Sequence, residues 1–143
     1  MWRPPCREYC NKLLMVLFDI AFMELTLRLV SAQEQLGDRC FSMQLDLWTS
    51  GGMEAFGAMC LTWLDEHFCV QCVLLACSSF PGKHDAAAIA RWITETLSTV
   101  NLGPQNIHLV TVDGDKTGLA ACKTLNFQFI LICLAHQLNR FVT

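Results

Sequence analysis

Charge is scarce in this chain of 143 residues. Only 16% of positions are charged, with 10 Lys and Arg against 13 Asp and Glu, for a net charge of -3. No two basic residues are adjacent, so the chain carries no cationic run of the kind that grips phosphates. A histone-like or basic-arm nucleic-acid binder is excluded, and any DNA contact needs a local patch or metal ions. Long apolar runs are missing too. In residues 13–30, LLMVLFDIAFMELTLRLV, the longest uncharged stretch is the six residues 13–18, far short of the roughly 18 of a membrane span and shorter than a secretory core of about 7 to 15. No membrane partner is expected. There is no HExxH and no GxxxxGK[ST], which excludes the dense zinc-protease spacing and the phosphate loop.

What the chain has in excess is hydrophobicity: 53% of residues, with a mean hydropathy of +0.36. The length suits one domain of about 100 to 200 residues, not a multi-domain enzyme. So apolar a composition points to a piece of a larger protein, or to a surface that a partner covers. The nine cysteines lie mostly inside apolar stretches. They read as small buried thiols of a reducing compartment rather than a disulfide framework, in keeping with their odd number.

Pro4-Pro5 precedes residues 6–35, which hold good helix formers and neither Gly nor Pro, so one long helix is expected, ended by Gly37-Asp38. Within it Glu24 and Arg28 support one another at i,i+4, and the helix is expected to be buried or covered by a partner. Strand-like runs follow at 39–48, 54–64 and 68–79, separated by turns at Thr49-Ser50-Gly51-Gly52 and Asp65-Glu66-His67. These predict an antiparallel meander, broken by Phe80-Pro81-Gly82. Residues 84–100 have helical periodicity through Ala88, Ile89, Trp92, Ile93, Leu97 and Val100. Then come a strand at 107–112, a helix at 116–125, a strand at 127–132 and a helix from 133. A helix followed by β-β-β-α-β-α-β-α predicts an α/β protein with a mixed sheet, in the order of the ribonuclease H-like fold. Residues 1–38 form the N-terminal helical segment and residues 39–143 the core.

Several side chains could carry chemistry. Asp46 sits between Leu45 and Leu47 in a strand, where a lone carboxylate is costly unless it has a partner, a metal or a solvent-facing position shared with Gln44. Asp113 and Asp115 follow a strand, where ligands of α/β sheets bind. Ordinary turn chemistry would account for Asp113 equally, and a helix cap is the favoured reading of Asp115. Cys69-x-x-Cys72 and Cys133-x-x-His136 could add up to a zinc site, but the first pair falls within a predicted strand whose alternation points the two thiols apart, so core cysteines are favoured. His67 is expected in an exposed turn.

The strings 45-LDLWTS-50, 80-FPGKH-84 before a helix, 110-VTVDG-114 and 133-CLAHQLN-139 together resemble, in order and approximate spacing, the catalytic core of hAT-family transposases and the BED-finger proteins derived from them. The resemblance spans residues 40–143 and implies a ribonuclease H-like domain in which three acids hold Mg²⁺ or Mn²⁺ for cleavage and transfer of transposon-end DNA. Asp46 matches the first acid and Asp113 the second; Cys133 and His136 match a supporting block near the active site. The family's third acid, a glutamate beyond a helical insertion, has no counterpart here. Gly114, Asp115, Lys116, Thr117 and Gly118 depart from the family's usual asparagines and methionine, Ala88 stands in place of an asparagine, and no zinc finger precedes Met1. The resemblance therefore implies a fragment truncated before the insertion, catalytically incomplete and holding no metal stably, with DNA as the intact parent's partner and a nuclear location; the apolar N-terminal helix, separately, points to self-association. A domesticated, non-catalytic interaction or dimerisation module is the alternative. A third reading has Asp113 and Asp115 holding Mg²⁺ for phosphoryl chemistry.

Overall fold

Alternation of apolar and polar residues decides which way each strand faces. In the computed structural model, which describes residues 7–50, 54–79 and 85–142, helix α1 (Arg7–Leu36) leads into strands β1 (Phe41–Thr49), β2 (Ala55–Leu64) and β3 (Val70–Ser79). Helix α2 (Ala86–Ser98), a 3-10 turn at Pro104–Asn106, β4 (Ile107–Val112), α3 (Lys116–Thr124), β5 (Phe129–Ile132) and α4 (Leu134–Val142) follow. The strands form one five-stranded sheet in the order β3-β2-β1-β4-β5. β1 runs antiparallel to β2 and β2 to β3, while β1 pairs in parallel with β4 and β4 with β5. The expected ribonuclease H-like order is thus the observed one. The Pro4-Pro5 start, Cys6, the Gly51-Gly52 part of the first turn, and the 80–84 break and block lie outside the described residues.

On β1 the odd-numbered residues Phe41, Met43, Leu45 and Leu47 are buried. They join Met59, Leu61 and Trp63 of β2 and Val110 and Val112 of β4 in one core. Ile89, Ile93 and Leu97 of α2, Ala121 and Cys122 of α3, and Leu29 and Ala32 of α1 complete it. Gly37 adopts φ +89° and its N–H donates to Gln33 O at 2.9 Å, ending α1 where a C-cap glycine was expected. The Asp85 carboxylate accepts from Ala88 N at 2.8 Å and caps α2. Buried Asn106, which sequence patterning passes over, accepts from Gly103 N at 2.8 Å and donates to Asp38 O at 3.2 Å, tying the 3-10 turn to the α1–β1 connection. Burying its amide costs little because both ends are paired.

One expectation needs correcting. The thiols are not mostly buried: among the described cysteines only Cys122 is, while Cys69, Cys72 and Cys77 are exposed and Cys10, Cys40, Cys60 and Cys133 are part-buried, none of them in a disulfide. β3 is an edge strand, and the sheet face that carries Cys72 and Cys77 is open, so an apolar sequence context did not translate into burial. Cys69 also precedes β3 rather than lying within it. The N-terminal half of α1 is likewise exposed, from Leu13 to Ile20; only from Phe22 onward does the helix meet the core.

Candidate carboxylate site

The even-numbered residues of β1 define the site. Gln44, Asp46 and Trp48 alternate with the core residues and are exposed on the opposite face. Asp46 therefore avoids the burial cost that its apolar neighbours suggested. Parallel pairing sets Gln44 beside Thr111 and Leu45 beside Val112. Asp46 stands one residue past that last pair on β1, and Asp113 one residue past it just beyond the end of β4; the paired backbones are about 4.8 Å apart.

Local chemistry fixes Asp113. Its Oδ1 accepts from Asp115 N at 2.9 Å, which orients the carboxylate. Gly114 has φ +91°, and a Cβ there would come within 2.9 Å of Ile132 Cγ2, so the turn after β4 demands glycine. Asp115 Oδ2 accepts from Thr117 N at 2.9 Å and Gly118 N at 3.1 Å, capping α3. That is the capping alternative read from the sequence, and it directs the Asp115 carboxylate to the helix. Cys133 N donates to Val112 O at 2.6 Å, and its carbonyl receives Gln137 N at 3.1 Å, so Cys133 closes β5 against β4 and opens α4.

These elements converge on a hollow of about 440 Å³ that brings together Asp46, Asp113, Cys133 and His136. Its size falls within the range of small-ligand sites. Gln44, Cys60, Thr111 and Asn139 also line it; alternation from Asp46 and Asp113 picks out Gln44 and Thr111, and helical spacing from His136 picks out Asn139, whereas Cys60 needed the β1–β2 register. Burial, with the neighbouring Cys72 thiol adding to it, raises the Cys60 pKa above its ordinary value. A raised pKa favours the neutral thiol over the thiolate. Trp48 stacks on Phe56 with centroids 5.7 Å apart and planes 12° apart, on the same face as Asp46.

Two adjacent carboxylates open to solvent suit a hard divalent cation such as Mg²⁺, which keeps several waters and needs only one or two protein carboxylates alongside substrate phosphates. Neither Asp46 nor Asp113 has an ion-pair partner among the described residues. Among those residues no cluster of three or more His, Cys, Asp or Glu is disposed to hold a metal, so the Cys–His zinc site is not formed.

A family model of the ZBED1 RNase-like domain matches residues 44–137, about two thirds of the chain and all of the hollow's lining except Asn139. The chain belongs to the ZBED1 RNase-like domain family. It is thus a hAT/BED-type, transposase-derived domain, and the five-stranded mixed sheet is the family's ribonuclease-like fold. No curated protein matches the chain.

Proposed function

We propose that this ZBED1 RNase-like domain carries two carboxylates of a metal-dependent DNA site and, with these two alone, binds Mg²⁺ or Mn²⁺ weakly and does not turn over. The observation that carries the reading is the juxtaposition of Asp46 and Asp113, each one residue past the last parallel pair of β1 and β4, in one open hollow with Cys133 and His136. A divalent ion held there would polarise a phosphodiester and lower the pKa of attacking water. Asp46 and Asp113 would be its ligands. The bond from Asp115 N to Asp113 Oδ1 pre-orients one of them. His136 and Asn139, one helical turn apart on α4, face the same hollow and would position the DNA backbone. The stacked Trp48 and Phe56 rings offer the kind of surface on which unpaired bases rest. With a net charge of -3, phosphate has little to attract it except a bound cation, which makes DNA binding metal-dependent. Nuclear location belongs to the same reading.

Mn²⁺ titration of the whole chain, followed by paramagnetic broadening of its amide resonances, tests this. Broadening centred on Asp46 and Asp113, lost in both Asp46→Asn and Asp113→Asn, is expected, with no cleavage of transposon-end or plasmid DNA. Unchanged resonances at both aspartates would refute the metal site. Cleavage that Asp46→Asn abolishes would instead refute the incompleteness. A non-catalytic interaction module is a second reading, favoured by the exposed apolar residues of α1.

A further inference from the structure

Helix α1 carries two apolar seams on opposite sides. Phe22, Leu25, Leu29 and Ala32 pack against the chain's own core. Tyr9, Leu13, Val16, Ile20, Met23 and Leu27 recur at alternating steps of four and three residues, the spacing of a coiled-coil seam. Turned about 3.6 residues per circuit, they fall on the side of the helix away from Leu25, Leu29 and Ala32. They are between 48% and 68% exposed. A helix face turned to water is ordinarily polar; this one is apolar over its described length.

The charges beside the seam choose its occupant. Lys12 and Asp19 flank it on the same side, seven residues apart; Lys12 also meets Glu8 of its own helix at 2.9 Å, an exposed pair weak enough to be shared or exchanged. In a parallel pair of α1 helices, flanking positions five residues apart meet, which sets Asp19 against Glu24 of the second copy, like against like. In an antiparallel pair the same flank meets itself. With Leu13 opposite Val16 of the second copy and Tyr9 opposite Ile20, Lys12 lies against Asp19 twice over, once on each side of the two-fold axis. Sliding by one heptad puts Asp19 against Asp19. One arrangement satisfies both the seam and the charges.

We propose that the chain forms an antiparallel two-fold dimer through the outward seam of α1, in the register that pairs Lys12 with Asp19. The pairing is centred between Leu14 and Met15, in the half of the helix that lies beyond the core. At 1.5 Å per residue the two Leu29 anchors then sit about 44 Å apart along the axis, so the two sheets do not collide. Both carboxylate hollows stay open. The dimer does not depend on the metal chemistry and stands if that chemistry fails.

Sedimentation equilibrium of the whole chain at micromolar concentration tests it. The wild type is expected to be a dimer. Lys12→Glu and Asp19→Lys should each weaken it about tenfold, since each replaces two attractive pairs by repulsive ones. The double exchange Lys12→Glu with Asp19→Lys should restore wild-type affinity. Val16→Glu in the seam should give monomers with unchanged circular dichroism, because the packed seam is untouched. A monomeric wild type would mean that a different partner or another segment covers the face, and would overturn the proposal. So would a dimer indifferent to Lys12→Glu, or a failure of the charge exchange to rescue it.

Discussion

Cys122 has no solvent exposure, and burial pushes its thiol from the ordinary 9.0 to about 11. Below pH 9 the folded and unfolded chains both keep the proton, and stability is flat. Between pH 9 and about 11 the unfolded chain releases it while the native chain holds it, so stability falls by about 2 kcal/mol across that window. Cys40 and Cys60 are pushed up by burial in the same direction. Urea unfolding at pH 8 and pH 10.5 is expected to show this loss, and Cys122→Ala should reduce it by more than half. An unchanged alkaline slope in the variant would place the loss elsewhere. Cys122 is the described cysteine for which the expected burial holds, and α3 packing into the shared core produces it.

At the scale of elements, the β4–α3 turn concentrates three roles in three consecutive residues. Asp113 faces the hollow, Gly114 supplies the positive φ, and Asp115 caps the helix. Asp115→Ala removes an acceptor shared by two backbone N–H groups and should cost about 1 kcal/mol. Asp113 is held through the backbone N–H of residue 115, which alanine retains, so Mn²⁺ binding should persist in this variant. Loss of Mn²⁺ binding would revive the reading in which Asp113 and Asp115 together hold the metal. The acidic turn after a strand was visible in the sequence, but the division of labour within it was not. Spacing cannot tell a carboxylate that caps from one that faces a ligand.

For the whole molecule, the contrast between the two faces of α1 is decisive. Leu29 is fully buried in the shared core, and Leu29→Ala should lower stability by about 3 kcal/mol by leaving a cavity. Leu13, outward on the same helix, should cost less than about 0.5 kcal/mol as alanine when unfolding is measured at concentrations low enough for monomers. Equal losses from the two would mean that the outward seam is packed within the monomer. No helix among the described residues is long and apolar enough to cross a membrane.

Sequence alone determined the order of elements, because strand alternation, helical periodicity and glycine stops act over a few residues. It also picked out Asp46, Asp113, Cys133 and His136, through short blocks whose spacing survives in the chain. Only the tertiary structure decided that these four share one hollow, since β1 and β4 are brought together by pairing across more than sixty intervening residues. It alone decided that most cysteines are not buried and that half of α1 is bare. Burial is set by which face another element covers, and a face-by-face account requires the sheet order, which no local pattern encodes.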